Sequence, residues 1–130
     1  MQFVDVDFER RDSIAVATVS GEVDMANAAS IRVRIAELVT PDDDALVIDL
    51  SPLSFIDSAG VHAIVELATA LRERRQRLVL CVPPGNQVGR TLELVGITRT
   101  VAVDPDREAA IASARTSAMR PRPFPSGSEA

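Results

Sequence analysis

Ala45-Leu46-Val47-Ile48-Asp49-Leu50 is an apolar run of strand length broken only by Asp49. A strand with one face in water alternates polar and apolar side chains, so a continuous run calls for cover on both faces, the situation of a central strand in a parallel sheet. Leu78 to Val82 repeats the pattern after a long amphipathic stretch. Two such strands separated by helix-period sequence fit an α/β domain, in which crossover helices cover a mostly parallel or mixed sheet.

The other elements arrange themselves around these strands. Val4, Val6 and Phe8 alternate with Asp5, Asp7 and Glu9, and the polar pair Arg11-Asp12 turns this strand into a second, Ile14 to Val19, ended by Gly21. From Asn27 the residues Ala28, Ile31, Ile35, Leu38 and Val39 recur at helical spacing as far as Thr40-Pro41. Residues 51–57, rich in Ser and Pro, read as a loop. A second helix then begins at Ser58, with Val61, Ile64, Val65, Ala68 and Leu71 as its buried stripe and His62, Glu66, Thr69 and Glu73 as a polar stripe beside it. Pro83-Pro84-Gly85 breaks the following strand, Asn86 caps a third helix that turns Val88, Leu92 and Val95 inward, and Gly96 closes it. Val101 to Val103 is the last strand, and Asp106 starts a fourth helix that runs through about Ala114.

The expected order is ββαβαβαβα: a mixed central sheet of about five strands with about four helices, in one domain over residues 1–115. Residues 116–130, with Pro121, Pro123 and Pro125 and no apolar period, read as a disordered tail; a ligand for a proline-recognition module is the lesser reading.

At 130 residues the chain has the size of one domain, able to bury about two-thirds of its unfolded surface in a single core. With four Phe and no Trp or Tyr, that core is aliphatic. A net charge of −5 argues against nucleic acid or an anionic membrane as the principal partner, because counterion-release binding needs a basic face. The basic run Arg72 to Arg77 is short and shared with Glu73, and reads as a solvated helix end whose cations complement the dipole. No stretch of about 18 apolar residues is present, so no membrane span is expected. The single Cys81 cannot form an internal disulfide and the first residues lack the pattern of a signal peptide, so a cytoplasmic location is expected.

Parallel strands send their following loops to one end of the sheet, the usual place for sites in α/β proteins. Three loops should therefore converge: Gly21 to Met25, Ser51 to Ser58, and Pro83 to Gln87. In the second, Asp57-Ser58-Ala59-Gly60 leads into the helix, and on its chemistry alone Ser58 reads as an ordinary N-cap.

The segment Val47-Ile48-Asp49-Leu50 through Asp57-Ser58-Ala59-Gly60 to Leu67 resembles the hallmark segment of STAS domains: strand, loop, Asp-Ser-x-Gly turn and helix in order. Gly21-Glu22-Val23-Asp24 is similar to that family's Gly-Glu-Leu-Asp turn, and Leu92 to Ile97 resembles the end of its third helix. The resemblance spans residues 4 to about 114, nearly the whole domain. It implies an anti-sigma factor antagonist. The unphosphorylated form would bind an anti-sigma factor that is also an ATP-dependent serine kinase, releasing a sigma factor. Phosphorylation of Ser58 would end binding, and a PP2C-type phosphatase would restore it. Asp24, Asp57, Ser58, Ala59, Gly60, His62 and Glu66 are the expected partner-binding residues. A turn or capping role for Asp24 and a solvated helix face for His62 and Glu66 are the plainer readings.

Other chemistries fit less well. Asp57, Ser58 and His62 are triad residue types, but Ser58 and His62 share one helical turn with no Gly-x-Ser-x-Gly elbow, so no enzyme is expected. A lone His lacks the ligand set of a zinc site, and no phosphate-binding Gly-x-x-x-x-Gly-Lys sequence occurs; neither metal nor cofactor is expected. The competing reading keeps the fold and drops the switch: a STAS scaffold or docking subunit of a stress-signalling or transport complex.

Overall fold

The structure, a computed structural model, describes residues 3–119, with side chains described as far as Arg115. β1 (Val4–Arg11) and β2 (Ile14–Val23) form an antiparallel hairpin, in register from Val4 opposite Gly21 to Arg11 opposite Ile14. There follow α1 (Ala28–Leu38), β3 (Ala45–Asp49), β4 (Leu53–Ile56), α2 (Ser58–Glu73), β5 (Arg77–Cys81) and α3 (Gln87–Leu94). A 3₁₀ turn (Ile97–Arg99), β6 (Ala102–Asp104) and α4 (Arg107–Met119) complete the order. The sheet runs β1-β2-β3-β5-β6, and every pairing except that of β1 with β2 is parallel.

The apolar character of β3 has the expected cause, since all its residues are buried and its two faces meet different helices. Leu46 and Ile48 join Leu78 and Leu80 in the larger core, with residues of α1, α2 and α3. Ala45 and Val47 join Val79 and Cys81 against Ala110, Ile111 and Ala114 of α4. Asp49, the one polar residue of the run, is 5% exposed and satisfied: its carboxylate accepts from the Ser51 N–H at 2.9 Å and lies 3.6 Å from Arg107 Nη1.

The sheet departs from expectation in a strand that sequence patterning hides. Leu53–Ile56, read as loop, is β4, which makes six strands. Ser and Pro around it mask a short run in which only Leu53 and Ile56 are buried. β4 continues along the β2 edge that β3 vacates, Gly21 facing Leu53 and Val23 facing Ile56, with a register shift between Gly21 and Glu22. Gly21 therefore does not end β2 but bends it. Its φ of 94° lies in the left-handed region, and a Cβ there would overlap the Phe3 carbonyl.

Three smaller corrections follow from packing. Val65 is 38% exposed, and Ala63 and Leu67 take the inward positions on α2 in its place. Val95 is the C-cap of α3 and 52% exposed, because the helix ends at Leu94 before that position can turn inward. α4 continues to Met119, past the boundary placed after residue 115; the rest of the expected tail, 120–130, lies outside the described residues.

At the end of the sheet away from the three loops, Asp43 ties the chain together. Arg10 Nε and Nη2 each donate to it at 2.8 Å, and the Thr40 N–H donates at 2.8 Å. The Arg10 guanidinium, with Thr40 assisting, holds the Asp43 carboxyl below its ordinary value even though burial opposes this. A depressed folded-state pKa contributes stability above the unfolded value that is lost as pH falls through the folded one. Asp43→Asn is expected to cost about 1 kcal/mol at neutral pH, since Asn keeps an acceptor for Thr40 but loses the charge opposite Arg10. Chemical denaturation at several pH values should show this deficit in full above about pH 5 and shrinking as pH falls below the ordinary carboxyl range. A deficit independent of pH would mean that the ion pair contributes nothing.

Candidate functional site

The loop after β2 and the loop after β4 meet at the N-terminus of α2. β4 delivers the chain there, and the Asp57 N–H donates to the Val23 carbonyl at 3.2 Å, locking the end of one strand to the end of the other. Asp57 is then the N-cap, with φ −108° and ψ −172°. Its Oδ1 accepts from the Gly60 N–H at 3.1 Å, and its Oδ2 accepts from the Met25 N–H at 3.2 Å. A single carboxylate thus caps α2 and holds the β2–α1 loop against it.

This corrects the plain reading of Ser58. The capping duty belongs to Asp57, and Ser58 is the first residue of the helix, exposed, with no hydrogen bond to its hydroxyl among the described residues. The N–H groups of Ser58 and Ala59, in the first turn, have no intrahelical acceptor. An exposed hydroxyl therefore stands at the positive end of a sixteen-residue helix with no structural task of its own.

Gly60 explains how the helix comes so close to the sheet. It is buried, and a Cβ on it would lie 2.5 Å from Ile56 Cγ1 and 2.9 Å from Val23 Cγ1, well inside contact distance. The absence of a side chain lets the first turn of α2 rest directly on the ends of β2 and β4.

The remaining predicted residues fall into two groups. His62 and Glu66 are exposed one turn apart on α2, 3.3 Å between Nε2 and Oε2, and Glu66 also meets Arg32 of α1 at 3.1 Å. Both contacts are solvated and add little stability each, and the Arg32–Glu66 pair joins α1 to α2. Asp24 departs from expectation: it is 6% exposed, and its Oδ1 accepts from the Ala26 N–H at 2.9 Å. Asn27 closes the same turn, accepting from the Asp24 N–H and donating to the Glu22 carbonyl, both at 3.0 Å. Asp24 builds the loop from within and presents no carboxylate at the surface. The third loop keeps to its own task, Asn86 accepting from the Val88 N–H at 2.7 Å to cap α3; no hydrogen bond joins it to Asp57 or Ser58 among the described residues.

Met25 and Arg32 were missed in the sequence. Met25 is 83% exposed and sits beside the helix cap through the hydrogen bond to Asp57. Its only sequence signal is its place directly after the Gly21-Glu22-Val23-Asp24 turn. Cys81 is buried, and burial pushes its thiol up to about 11, where little thiolate forms at neutral pH. No cluster of His, Cys, Asp and Glu suited to a metal ion occurs among the described residues.

A model of the STAS domain family matches residues 5–110, and so covers the hairpin from its second residue on, the α2 N-terminus and the first turn of α4. The chain belongs to the STAS domain family. Its relatives include the candidate anti-sigma factor antagonist BtrV of Bordetella bronchiseptica, 32% identical over 113 residues that cover 86% of this chain and 96% of BtrV. The anti-sigma-F factor antagonist RsfB of Mycobacterium tuberculosis is 32% identical over 89 residues, 68% of this chain and 71% of RsfB. Among solved structures, an anti-sigma factor antagonist from Mycobacterium paratuberculosis superposes with a TM-score of 0.74 at 28% identity, covering 87% of this chain and 95% of that one. The family match takes in residues 5–110 of the 130, and among the described residues no helix is long and apolar enough to cross a membrane.

Proposed function

We propose that this STAS domain is an anti-sigma factor antagonist switched by phosphorylation of Ser58. Unphosphorylated, it binds an anti-sigma factor that is also an ATP-dependent serine kinase, and a sigma factor is released. Phosphate on Ser58 ends the interaction, and a PP2C-type phosphatase restores it. Acting on a regulator of transcription, the protein works in the cytoplasm, and the role asks no catalysis of its own residues. The observation that carries the reading is the idle, exposed Ser58 hydroxyl beside a cap already supplied by Asp57. The printed roles of the relatives support the same partner class.

The chemistry at Ser58 suits a switch. A phosphoserine carries a charge of about −1.5 to −2 at neutral pH, which the helix N-terminus tolerates, so the fold survives modification. The same charge changes the docking surface formed by Asp57, Ser58, Ala59, His62 and Glu66, which the buried Gly60 supports from beneath. Incubation with ATP and the cognate anti-sigma factor, followed by intact mass, should add one phosphate to the wild type and none to Ser58→Ala. An unmodified wild type, together with equal binding by Ser58→Asp, would instead favour a docking subunit without a switch.

A further inference from the structure

We infer that Ser58 phosphorylation is transmitted to the β2–α1 loop through Asp57, so that the switch controls the placement of Met25 as well as the charge at the helix end. The inference rests on Ser58 being the phosphorylated residue and concerns what the phosphate does once present. Among the described residues Asp57 is the one side chain hydrogen-bonded to both elements, with Oδ1 on the Gly60 N–H at 3.1 Å and Oδ2 on the Met25 N–H at 3.2 Å. The rest of the loop is held by its own bonds, Asp24 to Ala26 and Asn27 to Asp24 and Glu22, none of which involves the Met25 N–H. Met25 is thus tied to α2 by a single exposed hydrogen bond.

A phosphate on Ser58 puts a second, larger anion at the same helix terminus. Phosphate and carboxylate then draw on one set of donors, the first-turn N–H groups, and repel each other across adjacent residues. The Asp57 carboxylate relieves the repulsion by turning away, which lengthens the bond to Met25. The loop bond yields before the cap, because Gly60 belongs to a packed helix while Met25 lies in an exposed turn. Asp57 acts here as a positioning residue, and Met25, an exposed apolar side chain, is what a partner would find displaced.

The test uses the full chain with phosphoserine placed at 58 by genetic encoding, so its outcome does not depend on whether a kinase acts there. Amide hydrogen exchange is measured by NMR for Met25 and Gly60. Phosphorylation should speed Met25 exchange by roughly tenfold or more while Gly60 stays protected. Asp57→Asn separates coupling from simple damage, since Asn keeps an oxygen for Gly60 but turns an N–H toward the Met25 N–H. This variant should speed Met25 exchange without phosphate, and adding the phosphoserine should then change it no further. An unchanged Met25 amide in the phosphorylated wild type, or effects of Asp57→Asn and phosphate that simply add, would overturn the inference. Failure of a kinase to modify Ser58 would count against the proposed function alone.

Discussion

Ser58→Asp should weaken binding to the anti-sigma factor by more than about a hundredfold, corresponding to about 3 kcal/mol, while Ser58→Ala binds about as well as the wild type. The asymmetry follows from where the side chain stands. Its hydroxyl bonds nothing among the described residues and the cap is Asp57, so removal of the oxygen costs the folded chain little. Adding a carboxylate puts a second anion beside Asp57, on a chain that already carries a net charge of −5, and docking must desolvate both. Calorimetric titration of each variant with the unmodified partner measures the difference, and circular dichroism checks that the fold is kept. If Ser58→Asp binds within a few-fold of the wild type, charge at this position does not govern the interaction.

Gly60→Ala is expected to destabilise the domain by about 2 kcal/mol, lowering the thermal midpoint by about 8 °C. Two effects compete. Alanine gains up to about 1 kcal/mol over glycine in a helix, which favours the substitution. Against it, the new Cβ meets Ile56 Cγ1 at 2.5 Å and Val23 Cγ1 at 2.9 Å, atoms of two buried β-branched side chains whose χ1 has little freedom to swing them aside. Relief requires lifting the first turn of α2 off the sheet, and overpacking of this kind typically costs about 1–3 kcal/mol. The steric term wins. Because the displaced turn carries Asp57 and Ser58, partner binding should fall beyond what lost stability explains. A thermal midpoint equal to or above that of the wild type would show that α2 does not rest on β2 and β4 as described.

Both predictions concern residues that the sequence already marked, but for reasons it left open. Gly60, marked through the family resemblance as a partner-binding residue, is buried, and the contacts of its absent Cβ make it the point where α2 approaches the sheet. Ser58 carried the pattern of an N-cap because Ser is a good one and precedes a helical run; Asp57 is equally good, and which of two adjacent cappers takes the role depends on where β4 ends. β4 itself was illegible, since Ser51, Pro52 and Ser54 signal a loop and the pairing that makes a strand lies with Gly21–Val23, thirty-odd residues away.

Local pattern determined the class of fold. The run Ala45 to Leu50, apolar but for Asp49, demanded cover on both faces, period-two alternation placed the hairpin, and spacing at 3.6 placed the helices, because each signal records which side of an element meets water. The Asp57-Ser58-Ala59-Gly60 turn, through its family resemblance, also marked the site. Tertiary structure alone decided what each residue of the turn does. Asp24 faces inward, Asp57 reaches across to Met25, and Ser58 is left idle at the surface. Those roles depend on where two loops from different strands meet, and a long-range meeting leaves no period in the chain to read.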